Sequence, residues 1–353
     1  MARCFIFKPD GIGDFFLASG VIRLMAREFG EENLFIATLP IMESVVRGQF
    51  PKASLITLPI RKKRVILNVF VANFLRCFSP WMSLMKTKVD VSISLRHMRD
   101  YLQSILFYSV RSQRRFIAEN LLLGNGRPVR RWTECAFKRL FDSQMISYPE
   151  AGEGVPSELE VNRKLASAVL GREVGISEIW PELKPVGPPP LEPPYWICAP
   201  FSSDPCKDFP LERWIGLFDS MQRSGRLPTL VLTGSSEQSE KLKSFLGLWN
   251  EFPSETHVDS RVIISSTIQD FVDLLAGAQC VLTVDTAAAH AATALDLKTM
   301  VLFSGLHQGM FAPWVRSTRQ HWMVQEKSSD LQPWHAAHKD SDLVRVMEEL
   351  FPG

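Results

Sequence analysis

The chain has 353 residues, of which 46% are hydrophobic and 22% are charged. This length allows two domains with separate cores, and this composition excludes a disordered chain. A formal net charge of +2 gives no support for a protein that coats nucleic acid.

Two halves of opposite charge lie behind that small net value. Residues 1–150 contain 23 Lys and Arg against 12 Asp and Glu, a net charge of +11. Because the whole chain has 40 basic and 38 acidic residues, the remainder has 17 and 26, a net charge of −9. This asymmetry predicts a different partner for each half, or it reflects surface solubility alone.

Cysteine usage and the N-terminal residues predict a cytoplasmic protein. The six cysteines are scattered without a C-x-x-C pair, which is typical of a reducing compartment. The first ten residues lack the apolar core of a signal peptide and predict a short buried strand instead.

The most apolar stretch, Val65–Met85, contains Arg76. A charge at mid-membrane costs about 2.5–3.5 kcal/mol, so we do not expect a spanning helix. A basic run stands immediately before this stretch: Arg61, Lys62, Lys63 and Arg64. Such a cluster followed by an apolar helix can lie on an anionic membrane surface, or it can be a solvated run before a buried helix. The sequence leaves both open.

In the first half, short apolar runs alternate with segments of helical spacing. The predicted strands are Cys4–Phe7, Leu34–Thr38, Ser54–Leu58 and Val89–Leu95, and the clearest predicted helix is Phe15–Phe29. Strands that alternate with helices favour parallel sheets with helices on both faces.

A proline-rich segment, residues 185–194, separates the two halves. We expect a stiff linker there, because proline continues neither a ladder nor a helix. The alternation then resumes, with predicted strands at Tyr195–Ala199, Thr229–Thr233, Val262–Ile264, Cys280–Val284 and Thr299–Phe303, and helices at Leu211–Ser224, Glu237–Leu246, Ile268–Ala276 and Ala287–Ala294.

These patterns predict four parts. They are an N-terminal domain over residues 1–184, a linker over 185–194, a C-terminal domain over 195–330, and a C-terminal helical segment over 331–353. Packing back on the N-terminal domain is one arrangement for the last segment.

The first loop of interest, Lys8–Asp14, follows a predicted strand and precedes a predicted helix. Its glycines Gly11 and Gly13 let the backbone approach a ligand closely, and a helix N-terminus favours anions. Phe16 stands where the dinucleotide fingerprint has Gly or Ala, so an NAD site has little support. From the residues alone, a helix cap is favoured over a catalytic base for Asp14.

Two further loops follow strands in the second half. In residues 201–210, Ser202, Ser203 and Lys207 suit phosphate oxygens, although an ordinary capped turn is the alternative. In residues 233–237, Gly234 forms a turn and Glu237 either caps a helix or holds ribose hydroxyls.

The fourth loop, residues 284–290, starts a helix of small residues. N–H groups at Thr286 and Ala287 could hold a diphosphate, and Asp285 could bind sugar hydroxyls. His290 lies further along, and a buried core histidine is the favoured interpretation. Since all four loops follow strands, and ligands of open α/β sheets bind there, we expect a nucleotide-sugar on the second domain and its acceptor on the first, with the site in the cleft between them.

Taken together, these motifs resemble the heptosyltransferase family, glycosyltransferase family 9, over nearly the whole chain. The resemblance rests on Gly13-Asp14, on Ser202-Ser203 with Lys207 and Trp214, on Thr233-Gly234 with Glu237, and on Asp285-Thr286 with His290 and Phe303-Ser304-Gly305. It implies an α/β GT-B fold, in which two Rossmann-like domains face a central cleft. Two departures from the family pattern, Ala287 for glycine and Ala18-Ser19-Gly20 for Thr-Pro, leave the donor and acceptor open.

The resemblance also implies roles for single residues. Asp14 would be the general base, and Lys207 would stabilise the donor phosphates. The implied donor-binding residues are Ser202, Ser203, Gly234, Glu237, Asp285, Thr286, Ala287 and His290. The implied acceptor-binding residues are Lys8, Gly13, Arg61, Lys62, Lys63, Arg64 and Arg96.

The implied activity is an inverting transfer of a sugar, heptose from ADP-heptose, to an anionic glycolipid such as a lipopolysaccharide-core precursor. A nucleotide-sugar epimerase and a non-catalytic nucleotide-sugar-binding protein on the same fold are the alternatives. We expect no cofactor, and no metal is needed because Lys207 and the helix end would stabilise the charge on the departing diphosphate. The histidines His335 and His338 have no evident further ligands and are more typical of a solvated surface than of a metal site. We expect a monomer, without nucleic acid, at the inner face of the cytoplasmic membrane.

Overall fold

The computed structural model describes residues 2–60, 68–119, 142–147, 155–253, 258–306, 308–324 and 334–350. The chain divides into two compact units, Met1–Pro181 and Glu182–Gly353. The division falls a few residues before the predicted end of the N-terminal domain.

The first unit is built on a parallel sheet of six strands in the order β3-β2-β1-β4-β5-β6. Its central strand is buried at every position, as expected for a parallel sheet with both faces covered. The strands are β1 (Cys4–Lys8), β2 (Leu34–Thr38), β3 (Ser54–Thr57), β4 (Lys88–Ser94), β5 (Arg111–Ala118) and β6 (Ser143–Ile146). The helices are α1 (Ile12–Phe29), α2 (Glu43–Gln49), α3 (Asn68–Arg76), α4 (Phe78–Lys86), α5 (Tyr101–Tyr108) and α6 (Ser157–Leu170).

The second unit repeats this architecture with the strand order β12-β11-β10-β7-β8-β9, again parallel. The strands are β7 (Tyr195–Ala199), β8 (Thr229–Thr233), β9 (Ser260–Ile263), β10 (Cys280–Val284), β11 (Thr299–Phe303) and β12 (Gln320–Val324). The helices are α7 (Leu211–Arg223), α8 (Ser239–Glu251), α9 (Ile268–Ala276), α10 (Ala287–Ala294) and α11 (Asp340–Leu350).

Numbered from its own first strand, each sheet has the 3-2-1-4-5-6 order of a Rossmann-like unit. The predicted α/β class is therefore confirmed. In such sheets the direction of winding reverses between strands 1 and 4, and ligands bind outside the carboxyl ends of those two strands. The reversal lies between β1 and β4 in the first unit and between β7 and β10 in the second.

The proline-rich segment, residues 185–194, contains neither helix nor strand. It lies against α9 of the second unit, where the backbone N–H groups of Val186 and Gly187 donate to the Asp273 carboxylate at 2.8 and 3.2 Å. The N-terminal end of the proline-rich segment is thus held against the second unit.

The C-terminal helix α11 packs on the second unit, and this corrects the arrangement in which the last segment returns to the N-terminal domain. Its apolar face (Leu343, Val346, Met347 and Leu350) joins the core that contains Trp214 of α7. Arg213 of α7 holds the segment before the helix, because its guanidinium donates to the carbonyl oxygens of His335 and His338.

Within the described ranges, no helix combines the length and the apolar composition needed to cross a membrane. The stretch around Arg76 forms two short helices, α3 and α4, of nine residues each. Two of their large apolar side chains, Leu75 and Phe78, are exposed.

Candidate functional site

Asp14 lies in the first turn of α1, the helix after β1, at the reversal point of the first sheet. Helix α1 begins at Ile12, so Asp14 is its third residue, and the N-cap is Gly11. The N-cap residue is therefore Gly11 and not Asp14, which occupies the third helical position. Its carboxylate turns back over the loop, since a Cβ on Gly11 would lie 3.4 Å from Asp14 Oδ2. A half-buried carboxylate in the first turn of a helix stands where the positive end of the helix stabilises negative charge.

Lys8 requires a correction, because its ammonium group is enclosed within the first unit. Its side chain is 1% exposed, and Nζ lies 3.0 Å from both Asp10 Oδ2 and Glu158 Oε1. Nζ also donates to the carbonyl oxygen of Leu95 at 2.7 Å. Three buried partners occupy this lysine, so it does not present a charge to an acceptor.

Arg96, after β4, remains at the rim of this buried cluster with 13% of its side chain exposed. Its guanidinium pairs with Asp10, and its Nε donates to Gln103 at 3.4 Å. Burial lowers the pKa of Arg96, while Asp100 and Glu158 act in the opposite direction. Because Asp10 lies in the loop between β1 and α1, the pair between Arg96 and Asp10 connects that loop, which directly precedes Asp14, to the end of β4.

His97 completes the cluster as a neutral group. Burial lowers its pKa well below the ordinary value, and the charges of Lys8 and Arg99 lower it further. Its Nε2 lies 3.3 Å from Asn162 Oδ1 and 3.4 Å from Glu158 Oε1. The sequence analysis missed the participation of Asp10, His97 and Glu158, and only the switch-point position after β4 could have drawn attention to His97.

The remaining residues predicted to bind the acceptor are Gly13 and the basic run. Gly13 is the second residue of α1 and is half-buried beside Asp14. The basic run, residues 61–64, lies outside the described residues.

Lys207 and Asp285 meet at the reversal point of the second sheet. Lys207 ends a short 3-10 turn after β7, and Asp285 directly follows β10, the strand that pairs with β7. Lys207 Nζ donates to Asp285 Oδ2 at 2.6 Å, with 17% and 7% of the two side chains exposed. The structure thus brings together the residues predicted for the donor phosphates and for the donor sugar.

The helix after this pair begins with the other predicted diphosphate groups. Thr286 is the N-cap of α10, and its Oγ1 accepts the backbone N–H of Ala288 at 3.2 Å. Ala287 is the first helical residue and is half-buried. N–H groups in a first helical turn have no acceptor within the helix and suit an anion. Ala287, which stands where the family pattern has glycine, adopts a helical position that alanine readily takes.

His290 is buried on α10, as the core interpretation predicts, but it also faces the site. Its Nε2 lies 4.0 Å from Asp285 Oδ1, and its Nδ1 accepts the indole N–H of Trp314 at 3.0 Å. The sequence analysis missed Trp314, which lies 24 residues further along the chain in a loop without a motif.

Ser202 takes part in holding its own loop. Its backbone N–H donates to Asp208 Oδ1 at 2.7 Å, and its hydroxyl accepts the backbone N–H of Asp204 at 3.1 Å. Burial raises the pKa of Asp208, while the hydrogen bond from Ser202 lowers it. Ser203, by contrast, is exposed and remains a candidate for phosphate contact.

Gly234 and Glu237 occupy the neighbouring loop after β8. A Cβ on Gly234 would lie 2.5 Å from Gln238 Oε1, so the glycine makes room for the amide of Gln238. That amide donates to the Ser202 carbonyl at 3.1 Å and links the two loops. Glu237 is exposed, so its predicted contact with the nucleoside remains a prediction.

The described residues contain no group of three or more His, Cys, Asp or Glu side chains that could hold a metal ion. The expectation of solvated histidines is corrected for His338, which is buried. Burial lowers the pKa of both His335 and His338, and Arg213 lowers it further.

Comparisons with known proteins agree with the two-sheet α/β architecture described above. Residues 131–337, more than half of the chain, match glycosyltransferase family 9 (heptosyltransferase). The chain belongs to this family. A comparison with curated proteins gives no match. The family match contains Lys207, Asp285 and His290, whereas Asp14 lies before it.

Solved structures of family members share the fold over the whole chain. E. coli heptosyltransferase WaaC with ADP has 13% sequence identity and a TM-score of 0.72, with 99% of each chain covered. WaaC with ADP-2-deoxy-2-fluoro heptose has 14% identity and a TM-score of 0.69, with 98% of this chain and 99% of that chain covered. E. coli ADP-heptose lps heptosyltransferase II has 14% identity and a TM-score of 0.66 over the same shares. The GT-B fold and the glycosyltransferase class expected from the sequence are confirmed.

Proposed function

We propose that this glycosyltransferase moves heptose from ADP-heptose to an anionic glycolipid, such as a lipopolysaccharide-core precursor, with inversion at the anomeric carbon. The observation that carries the proposal is the Lys207–Asp285 pair at the reversal point of the second sheet, beside the N-terminus of α10. A cation, a carboxylate and a helix end at one place suit a diphosphate joined to a sugar.

Two relatives support the choice of donor. WaaC is known with ADP and with ADP-2-deoxy-2-fluoro heptose, and it shares this fold over the whole chain. In the proposed complex, Lys207 and the first N–H groups of α10 contact the diphosphate, and Asp285 accepts hydrogen bonds from sugar hydroxyls. Glu237 and Ser203, both exposed, remain available for the nucleoside and the phosphates.

The proposed reaction is a single displacement. The acceptor oxygen forms a bond to the anomeric carbon as the bond from that carbon to the phosphate oxygen breaks, and ADP leaves with the bonding electron pair. Asp14 takes the proton of the acceptor hydroxyl late in the step, when the hydroxyl has become acidic. Lys207 and the α10 N-terminus stabilise the charge that develops on the departing diphosphate, so the proposal requires no metal.

We assign the acceptor to the first unit and place the enzyme on the inner face of the cytoplasmic membrane. The positive net charge of residues 1–150 suits an anionic glycolipid. The exposed side chains of Leu75 and Phe78, which follow the basic run at residues 61–64, suit a lipid surface. Among the arginines proposed for the acceptor site, Arg96 lies within the described residues, and 13% of its side chain is exposed.

The function is tested by incubating the purified full-length chain with a panel of nucleotide-sugars and a lipid-linked oligosaccharide extract. We expect ADP release only with ADP-heptose and only with the extract, and mass spectrometry of a lipid product larger by one heptose. Conversion of the donor without the extract would identify an epimerase, and binding without either reaction would identify a non-catalytic protein. Either result would overturn the proposal.

The donor site is tested by calorimetry with ADP on Lys207→Met. We expect a loss of roughly tenfold or more in ADP affinity, because a charge-assisted contact to phosphate is removed. Lys243→Met is the matched control, since Lys243 lies on α8 with 63% of its side chain exposed and the same charge is lost. Equal affinities of the two variants would place the phosphates elsewhere.

A further inference from the structure

A chain of polar contacts runs from Lys207 through Asp285 and His290 to Trp314. Asp285 Oδ2 accepts from Lys207 at 2.6 Å, and Asp285 Oδ1 lies 4.0 Å from His290 Nε2. On the other side of the imidazole, Nδ1 accepts the Trp314 indole N–H at 3.0 Å. The two rings are nearly parallel, with 8° between their planes.

The contact with Trp314 determines which nitrogen of His290 carries the proton. An indole N–H can only donate, so Nδ1 must be unprotonated in order to accept it. The neutral ring then carries its hydrogen on Nε2, the nitrogen that faces Asp285. Trp314 therefore keeps a hydrogen-bond donor directed towards the Asp285 carboxylate.

Binding of a diphosphate creates a conflict at Asp285. The ammonium group of Lys207, which would contact the phosphates, is already engaged with this carboxylate. When Lys207 turns to the phosphates, Asp285 loses its cation while only 7% of its side chain is exposed. A buried carboxylate that loses a hydrogen-bond donor is strongly unfavourable unless another donor takes its place, and in a complex with ADP alone no heptose hydroxyl can do so.

We propose that His290 is this replacement donor and that Trp314 is the positioning residue that keeps it in the required tautomer. As Lys207 moves to the phosphates, Asp285 Oδ1 accepts the His290 Nε2–H, and the present separation of 4.0 Å closes to about 2.9 Å. Asp285 remains directed at the sugar hydroxyls, no proton is transferred, and Lys207 contacts the diphosphate. The inference rests on the proposed donor site.

We call the replacement of Lys207 by His290 as the hydrogen-bond partner of Asp285 the handover. It is tested by NMR of the full-length protein with ¹⁵N-labelled histidine, in which His290 is identified by the signals lost in His290→Gln. In the wild type we expect one Nε2–H tautomer and a downfield shift of its proton on addition of ADP. Lys207→Met should show the same shift without ADP, because Asp285 has already lost its cation. A His290 signal in Lys207→Met that equals that of the ligand-free wild type would overturn the handover.

Trp314→Phe tests the positioning residue, with Trp322→Phe as the matched control. The Trp322 ring also packs against His290, at 6.0 Å between centroids, but its indole N–H has no acceptor among the residues that the structure describes. We expect Trp314→Phe to raise the Nδ1–H fraction of His290 roughly fivefold, the value of one hydrogen bond. Trp322→Phe should leave that fraction unchanged, and the same tautomer ratio in both variants would overturn the role of Trp314.

These readouts separate the inference from the proposed function. If ADP fails to bind the wild type, the donor proposal fails, while the ligand-free comparison of wild type and Lys207→Met still decides the handover. If ADP binds through Lys207 but leaves the His290 signal unmoved, the donor site stands and the handover fails. With both intact, Trp314→Phe should lower kcat more than it weakens ADP binding, because Asp285 is then less well held towards the sugar.

Discussion

Lys8 ends β1 and Lys207 lies in the loop after β7, the corresponding strand of the second sheet, yet the two lysines have opposite environments. Lys8 is enclosed by Asp10 and Glu158, whereas Lys207 lies at the surface of the donor loop beside Asp285. Glu158 is 150 residues from Lys8 in sequence, and Asp285 is 78 residues from Lys207. No local pattern could distinguish the two lysines, because burial and pairing depend on which distant residues the fold brings to each.

The sequence alone was enough to select Asp14 as a candidate, because it follows a glycine-containing loop at the start of a helix. Whether it is the helix cap could not be decided without knowing the residue at which the helix begins. The structure makes Gly11 the cap and leaves the Asp14 carboxylate in the first turn of α1. We expect Asp14→Asn to lower kcat by about 10²–10⁴-fold, the usual contribution of a general base, with ADP affinity unchanged.

Glu43→Gln is the matched control for Asp14→Asn. Glu43 is also an acidic residue in a first helical turn, that of α2, and pairs only with the exposed Arg47 among the contacts of the described chain. Its substitution removes the same charge and should leave kcat unchanged. A loss in both variants would point to general destabilisation of the first unit, and a loss in neither would mean that another group accepts the proton.

His97 predicts a pH dependence of stability. Its pKa in the folded protein is well below the ordinary value of 6.5, because burial and the charges of Lys8 and Arg99 disfavour the imidazolium ion. Below pH 6.5 the unfolded chain binds a proton that the folded chain does not, so stability falls as the pH falls. The expected slope reaches about 1.4 kcal/mol per pH unit.

Urea unfolding between about pH 8 and pH 5 measures this slope in the wild type and in His97→Gln. The variant keeps a hydrogen-bonding side chain and cannot titrate, so its stability should fall less steeply with acid. His335 and His338, whose pKa values burial also lowers, are common to both proteins and cancel in the difference. Parallel curves would show that His97 is protonated in the folded state.

At the scale of elements, the buried central strands and the helices around them could be predicted because their apolar residues are continuous. Five predicted strands of the second unit match observed strands, and four of them match to the residue. The strand β5 was missed because Arg111, Arg114 and Arg115 interrupt its apolar pattern. The structure shows why they are tolerated: Arg114 and Arg115 donate to the carbonyl oxygens of Val169 and Val110.

Helix α1 carries a packing constraint that its sequence does not reveal. A Cβ on Gly20 would lie 2.1 Å from the carbonyl oxygen of Ile179, so the helix touches this backbone directly. We expect Gly20→Ala to lower the free energy of unfolding by about 1–3 kcal/mol, because either the helix or the segment around Ile179 has to move. Urea unfolding with an N-terminal fluorescence probe measures the change.

Gly216→Ala is the opposite case and serves as the control. Gly216 also lies inside a helix, α7, but it is exposed, and a Cβ there would meet no atom of the described residues within 4 Å. Alanine should raise the free energy of unfolding by about 0.5–1 kcal/mol, since it restricts the unfolded chain and favours the helix. Stabilisation by both substitutions would show that α1 has room at Gly20.

At the scale of the whole molecule, the sequence predicted a division of charge, +11 for residues 1–150 and −9 for the rest. The structure explains how an acidic half could take an anionic donor. The predicted donor groups, Lys207 and the N-terminus of α10, are local and sit at the reversal point of the sheet. For the donor, the geometry of two loops matters more than the net charge of the unit around them.

For a membrane-bound acceptor, by contrast, the net charge acts at long range, and this gives a prediction for the full chain. We expect binding to vesicles that contain phosphatidylglycerol, weaker binding to neutral vesicles, and a steep loss as salt screens the attraction. Substitution of all four basic residues at 61–64 by Gln should lower the partition coefficient by about tenfold or more at low salt, because each basic residue near the surface contributes about 1 kcal/mol.

The apolar part of the same contact is separable from the charge. Leu75→Ser with Phe78→Ser should weaken vesicle binding while leaving its salt dependence intact, since these side chains are 67% and 50% exposed and carry no charge. Leu248→Ser, at an exposed apolar residue of the second unit, should have no effect. Vesicle co-sedimentation at two salt concentrations measures both terms. If the protein with both Leu75→Ser and Phe78→Ser binds vesicles as well as the Leu248→Ser control does, the apolar residues of α3 and α4 do not enter the lipid. The attraction to the vesicles is then electrostatic alone.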